Sequence, residues 1–147
     1  MTDTDLVKLY SGRILALAAD IPHLGHLAAP GGVAKKRSPL CGSTVAVEVV
    51  LEGGKIAQFA QEVRACALGQ AAAAVLGQVV IGRSRAELQA ARDALAAMLT
   101  DGGPVPFAPF GGYEVLIPAR DYKNRHASIL LALDATLEAV AAAETPG

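Results

Sequence analysis

The alternation of apolar and polar positions predicts one helix, then two paired strands, then three further helices. Apolar residues recur every three or four positions over 5–19, which is the spacing of an amphipathic helix. Residues 44–51 and 56–64 alternate with a period of two, and Glu52-Gly53-Gly54-Lys55 between them has the composition of a hairpin turn. An alanine-rich helix is predicted over 66–81.

Local signals mark two more helices in the second half of the chain. Ser84-Arg85-Ala86-Glu87 has the form of a capping box, so a helix should begin there. Its predicted buried stripe consists of Leu88, Ala91, Leu95, Met98 and Leu99. The last helix is predicted to begin near Arg120 or Arg125 and to run through Val140. The Gly- and Pro-rich segments 22–40 and 105–118 are predicted to be irregular.

This order of elements indicates an α+β fold in which helices cover a small antiparallel sheet. A length of 147 residues suits one hydrophobic core, so we expect a single domain over 1–147. Neither an internal repeat nor a second domain is apparent. Residues 143–147 are predicted to fray.

Composition limits the classes of function. Lys and Arg number 13 against 14 Asp and Glu, and aromatic residues make up 4% of the chain, so neither a nucleic acid nor an anionic membrane is an expected partner. The first residues lack the features of a signal peptide, and the apolar stretch 71–81 is too short to span a bilayer. We therefore expect a cytoplasmic location, where cysteines are usually reduced.

The two cysteines carry the candidate chemistry. Cys66 lies where the second strand gives way to a helix, and a helix N-terminus favours the thiolate, which binds metal and attacks sulfur. Cys41 precedes the predicted hairpin, and a hairpin returns the chain to its start, so the two thiols should lie near each other. His126, near the head of the last helix, is a third candidate ligand. All three residues also fit packing or capping roles, because free cysteine is often buried and histidine often caps helices.

Six short motifs in order along the chain resemble the U-type iron–sulfur cluster scaffolds, the IscU/SufU/NifU N-terminal family. The motifs are Leu9-Tyr10, Pro22-His23-Leu24-Gly25, Pro39-Leu40-Cys41-Gly42-Ser43, Gly54-Lys55-Ile56, Ala65-Cys66-Ala67 and Arg125-His126-Ala127-Ser128-Ile129-Leu130. The resemblance implies a SufE/NifU-like fold with about three strands. It also implies a non-enzymatic carrier that takes sulfur from a cysteine desulfurase, binds iron or a [2Fe–2S] cluster, and passes it to apo iron–sulfur acceptor proteins.

By position, the resemblance assigns cofactor binding to Cys41, Cys66, His126 and Ser43, and metal ligation to the first three. The chain departs from the family pattern in two places: the third cysteine falls on Ala127, and the aspartate after Cys-Gly falls on Ser43. A Leu-Pro-Pro-Val-Lys chaperone-docking motif has no counterpart in 115–120. The fourth ligand is left open between Ser43, water, an exogenous thiol and a second subunit, so a homodimer is one of the open arrangements.

Two alternatives follow from these departures and from the thiols themselves. Two cysteines, one histidine and a water form a known zinc site, so the chain could be a zinc-binding or metal-free adaptor that regulates sulfur transfer. The other alternative is a sulfurtransferase that carries a persulfide on Cys66 alone. His23 and His26 are candidates for a missing ligand, and Lys35-Lys36-Arg37 is either a solvated loop or a docking site for an acidic patch on a desulfurase.

Overall fold

A three-stranded antiparallel sheet with helices on one face forms the framework of the protein. The computed structural model describes residues 11–39 and 42–144. Within that part of the chain, β1 (Gly32–Arg37), β2 (Thr44–Glu52) and β3 (Lys55–Arg64) are ordered β1-β2-β3. The predicted α+β class and small antiparallel sheet are therefore confirmed.

Four α-helices and one 3₁₀ helix lie in the described residues. They are α1 (Gly12–Ala18), α2 (Ala67–Val79), α3 (Arg85–Thr100), the 3₁₀ helix (Phe110–Asp121) and α4 (Lys123–Glu144). Residues 5–10 of the predicted first helix and residues 145–147 of the predicted frayed tail lie outside the described residues. Ala143 and Glu144 continue α4.

The capping box at the start of α3 is confirmed. The Ser84 hydroxyl accepts from the Glu87 N–H at 3.2 Å, and the Glu87 carboxylate accepts from the Ser84 N–H at 3.1 Å. Two of the four donors that a helix N-terminus leaves without a partner are satisfied in this way. Every residue of the predicted buried stripe of α3 is at most 2% exposed.

The core lies between the inner face of the sheet and α4. Val45, Val47 and Val49 of β2 are buried on that face, and α4 packs along β1 and β2 as well as against α2 and α3. The alternation of buried and less buried residues along β2 is therefore explained by a sheet that is buried on one face only.

The position of α4 at the centre of the fold explains its composition. Among the described residues it is the one helix long and apolar enough to cross a membrane, but 61% of its most apolar window is buried inside the protein. A helix with neighbours on several sides needs apolar residues around most of its circumference.

The prediction that 22–40 is irregular throughout is wrong for Gly32–Arg37, which forms β1. The basic run Lys35-Lys36-Arg37 hid the strand, because charged residues are uncommon in buried strands but are frequent on edge strands. The side chains of Lys35 and Arg37 are exposed, whereas that of Lys36 is half-buried and pairs with Glu138 of α4 at 3.2 Å. The three basic residues that are adjacent in the sequence therefore lie on different faces of the sheet, Lys35 and Arg37 on one face and Lys36 on the other.

The prediction of a loop over 105–118 is confirmed for residues 105–109 but is wrong from Phe110 onward, because Phe110–Asp121 forms a 3₁₀ helix. Its apolar residues recur every third position, which matches the three residues per turn of a 3₁₀ helix and aligns them in one stripe. The fully buried members of that stripe are Phe110, Tyr113, Leu116 and Ala119. Neighbouring Gly and Pro residues masked this period in the sequence.

A close approach between β1 and α4 fixes the sheet on its helix. A Cβ at Gly32 would overlap the carbonyl oxygen of Ala139 and stand 2.7 Å from the Ala143 backbone nitrogen. Both obstacles are backbone atoms of a helix, so a side chain at Gly32 could fit only if the strand or the helix moved.

We expect Gly32→Ala to lower the free energy of unfolding by about 1–3 kcal/mol, the usual cost of overpacking a core. Urea denaturation measures the change. The matched control is Gly12→Ala in α1, where no atom of residues 11–39 or 42–144 lies within 4 Å of an added Cβ. Equal stability of Gly32→Ala and wild type would contradict the assigned packing of β1 on α4.

Candidate functional site

Cys66 is the N-cap residue of α2. Its backbone is extended, with φ −64° and ψ 169°, and its side chain makes no capping hydrogen bond. The predicted position of this thiol at a helix N-terminus is confirmed, although the helix proper begins at Ala67. The side chain is half-buried, so the sulfur is shielded by the fold without being sealed inside it.

Two buried serines form a chain of hydrogen bonds that leads from the Cys66 sulfur into the protein. The Sγ atom of Cys66 lies 3.6 Å from the Oγ atom of Ser128, and Ser128 Oγ donates to Ser43 Oγ at 3.1 Å. Ser43 and Ser128 are 4% and 1% exposed. This Cys66–Ser128–Ser43 relay joins the start of α2, the first part of α4 and the residue just before β2.

The direction of the hydrogen bonds in this relay depends on whether the Cys66 sulfur carries a proton. A thiol donates its proton to Ser128, whose own proton then goes to Ser43. A thiolate, a persulfide anion or a metal-bound sulfur has no proton to give, so the Ser128 hydroxyl is free to rotate and donate to sulfur. Ser128 is therefore a hydrogen-bond partner for both states of Cys66.

Gly69 allows α2 to approach Ser128. A Cβ at Gly69 would stand 2.6 Å from Ser128 Oγ and 2.8 Å from the Cβ of Ala65. Neither contact is sterically acceptable, so the residue one turn into α2 has to be glycine for the hydroxyl to keep its place beside Cys66.

Backbone hydrogen bonds join the described residues on either side of Cys41. The Ser38 N–H donates to the Ser43 carbonyl at 2.8 Å, and the Gly42 N–H donates to the Ser38 carbonyl at 3.0 Å. Gly42 has φ +70°, which favours glycine. Cys41 itself lies outside the described residues. Ser43, two positions later, reaches the relay of Cys66, so this end of the hairpin brings the two cysteine motifs together.

His126 is turned toward the 3₁₀ helix. Its Nε2 atom lies 2.9 Å from the Ala119 carbonyl oxygen and 3.1 Å from that of Arg120, and the residue is 7% exposed. Carbonyl oxygens only accept, so Nε2 carries the proton and the lone pair of the neutral ring is on Nδ1. If His126 is a ligand, as the sequence predicts, it can act through Nδ1 alone.

The end of the 3₁₀ helix that holds His126 is itself anchored. Arg120 donates from Nε to the Met98 carbonyl at 2.7 Å and from its guanidinium to the Gly103 carbonyl at 2.8 Å. These bonds satisfy one carbonyl group in the last turn of α3 and one just beyond that helix, and they fix the backbone that orients the His126 ring.

The other two histidines are engaged elsewhere. The ring of His23 lies edge-to-face on Phe59, with centroids 5.9 Å apart. His26 Nδ1 and Nε2 each lie 2.7 Å from a carboxylate oxygen, of Glu48 and Glu62 respectively. The hydrogen bond to Glu48, followed by the charges of Glu62 and Glu48, raises the pKa of His26, so its imidazolium form is stabilised. Both ring nitrogens of His26 are therefore already used.

Of the four residues proposed from the sequence, Ser43 and Cys66 are brought together, and His126 is fixed by other contacts. Within 11–39 and 42–144, no three His, Cys, Asp or Glu side chains group as a metal site. Ser128 was missed in the sequence. The signal that could have found it is a serine among the apolar residues of a buried helix, one position after Ala127.

Comparison with solved structures identifies the family. The chain is 44% identical to a NifU-like protein (N-terminal) from Brucella abortus, with a TM-score of 0.91, and the match covers 95% of this chain and 97% of that one. The chain belongs to the NifU-like, U-type scaffold family. The resemblance inferred from the motifs is thereby confirmed.

More distant structures share the NifU-like fold. A candidate iron–sulfur cluster assembly scaffold protein for the SUF system from Fervidobacterium islandicum AW-1 is 20% identical, with a TM-score of 0.79 over 91% of this chain and 98% of that one. A hypothetical protein is 24% identical, with a TM-score of 0.79 over 92% and 98% of the two chains. Comparison with protein-family models and with curated proteins gives no significant match.

Ala127 marks the departure of this chain from the NifU-like motif pattern. It is half-buried near the start of α4, between His126 and Ser128. The Ala127 methyl group can neither donate nor accept a hydrogen bond. The side chain that contacts the Cys66 sulfur here is the hydroxyl of Ser128. On the inner side of Cys66 the site therefore presents the Ser128 hydroxyl, with the Ser43 hydroxyl behind it.

We expect Ser128→Ala to slow alkylation of Cys66 by iodoacetamide at neutral pH by about fivefold, which corresponds to the loss of one ordinary hydrogen bond to the thiolate. The rate is measured by mass spectrometry of the Cys66 peptide. Thr136→Ala is the control, because Thr136 is a buried hydroxyl of α4 that donates to the Ala132 carbonyl, outside the relay. A faster or unchanged rate in Ser128→Ala alone would refute the donor role of Ser128.

Proposed function

We propose that this NifU-like chain assembles iron and sulfur on Cys41 and Cys66 and passes the product to apo iron–sulfur proteins in the cytoplasm. The observation that carries the proposal is the convergence of the two cysteine motifs. Cys66 caps α2 beside Ser128, and Ser128 bonds to Ser43, which follows Cys41-Gly42 in the chain. Family membership supports a carrier role without turnover of a substrate.

In this proposal sulfur arrives as the outer sulfur of a persulfide on a cysteine desulfurase. The Cys66 thiolate attacks that outer sulfur, a new S–S bond forms on Cys66, and the donor cysteine leaves as a thiolate. Ser128 stabilises the attacking thiolate, because its hydroxyl can donate to the Cys66 Sγ atom, which carries the negative charge before the transfer. Because Cys66 is half-buried and not sealed inside the fold, its sulfur can be reached from outside.

The cargo is held by a mixed set of ligands. Cys41 and Cys66 supply thiolates and His126 supplies Nδ1, while the Ser43 hydroxyl modulates the site. Protein-bound clusters usually have four cysteine ligands, and replacing thiolate with imidazole is known in clusters of higher potential. A [2Fe–2S] cluster on this chain therefore needs a fourth ligand from water, an added thiol or a second subunit. Its release to an acceptor rich in thiolates is then favourable.

A zinc-binding or metal-free adaptor of sulfur transfer is the second candidate. The observation that favours it is the presence of Ala127 and Ser43 where the family motif has cysteine and aspartate. Two thiolates, one imidazole and one water complete a tetrahedral zinc site without further donors. The two candidate functions can be distinguished by visible absorbance, because an iron–sulfur cluster absorbs visible light and a zinc thiolate site does not.

Anoxic purification followed by iron, zinc and sulfide analysis and a visible spectrum tests the proposal. We expect iron, sulfide and visible bands in the wild type, loss of all three in Cys41→Ala and Cys66→Ala, and a marked decrease in His126→Ala. His26→Ala is the control, since it removes a histidine whose nitrogens are bound to Glu48 and Glu62. Zinc, or no metal, in the wild type would overturn the scaffold proposal in favour of the adaptor.

A further inference from the structure

Three basic side chains meet on the outer face of the sheet, beside the cysteine loop. In the strand register Arg37 pairs with Thr44 and Thr44 pairs with Arg64, so the two arginines flank one threonine across three strands. Lys35 stands two residues from Arg37 on the same face of β1. With strands about 4.8 Å apart, the Cα atoms of Arg37 and Arg64 are about 10 Å apart. We call Lys35, Arg37 and Arg64 the basic triad.

A groove of about 400 Å³ runs through this region. It is lined by Lys35, Gly42, Thr44, Ala46, Glu62 and Arg64. The Arg37 guanidinium forms its edge, 3.9 Å from where a Cβ on Gly42 would stand. One end of the groove therefore includes both the residue that follows Cys41 and the residue two positions before Cys66.

The charges of the triad are uncompensated in the described part of the chain. Lys35, Arg37 and Arg64 are exposed and take part in none of its ion pairs, whereas their neighbour Lys36 pairs with Glu138 on the opposite face. Glu62, the one carboxylate that lines the groove, is bound by the His26 ring at 2.7 Å. Positive potential therefore predominates at the end of the groove that faces the cysteine loop.

We infer that the basic triad is the docking surface for an acidic segment of the protein that donates sulfur. This inference rests on the proposed function, because the transfer requires the partner's persulfide to reach Cys66 and so places the partner over this end of the sheet. The groove crosses the sheet from β1 to β3, and three cations on these two outer strands suit carboxylates spaced along a peptide. A small anion would contact only part of the triad.

Binding and sulfur transfer measured together test the inference. The variant is the triple substitution Lys35→Gln, Arg37→Gln and Arg64→Gln. The control removes the same charge outside the groove by Lys36→Gln, Lys55→Gln and Arg85→Gln. For each, the Kd for the purified cysteine desulfurases of the same organism is measured by calorimetry at about 50 and 300 mM salt, where screening differs several-fold. Persulfide on Cys66 is followed by mass spectrometry.

We expect the triad variant to bind at least about fivefold more weakly at low salt, with a flatter salt dependence, while the control resembles the wild type. A decamer of glutamate should compete with the desulfurase for wild type. Equal affinity of the triad variant and wild type, equal weakening in the control, or competition by inorganic phosphate as strong as by the decamer would overturn the docking surface. A wild type that accepts no sulfur from any desulfurase would instead overturn the proposed function, and the inference with it.

Discussion

The placement of α4 beneath the sheet is the constraint on which the rest of this structure depends. Two glycines permit it: Gly32 lets β1 lie on the helix backbone near Ala139, and Gly69 lets α2 reach Ser128. Between these two contacts, α4 is buried by the strands on one side and by α2 and α3 on the other. Because these contacts involve backbone or a buried hydroxyl, they leave little freedom for the helix to shift.

The candidate site follows from that placement. The first turns of α4 bring Ser128 to Cys66, while the 3₁₀ helix holds the neighbouring His126 by its Nε2 proton. α4 thus positions both the hydroxyl that contacts the sulfur and the candidate imidazole ligand, while the carbonyl groups of the 3₁₀ helix set the tautomer of that imidazole. Ala127 lies between them, so the framework presents a methyl group at the position to which the motif resemblance assigns a third cysteine.

Much of this fold could be predicted from the sequence, because several of its turns and helix ends are determined by residues that are close together in the chain. The hairpin at Gly53-Gly54, the capping box at Ser84 and the helical N-terminus at Cys66 each depend on residues within a few positions. β1 could not be found in this way, since its two lysines and one arginine are explained only by its place at a sheet edge. The relay was also beyond reach, because Ser43 and Ser128 lie 85 positions apart and meet only through the packing of α4.

Iron K-edge X-ray absorption of the anoxically prepared protein tests the central claim most directly, because it counts the atoms bound to iron. A [2Fe–2S] cluster on two thiolates and two lighter ligands predicts about three sulfur and one nitrogen or oxygen neighbours per iron. In Ala127→Cys, we expect the sulfur count to rise. About four sulfur neighbours per iron in the wild type would contradict a mixed ligand set, and an absence of bound iron would contradict the scaffold role itself.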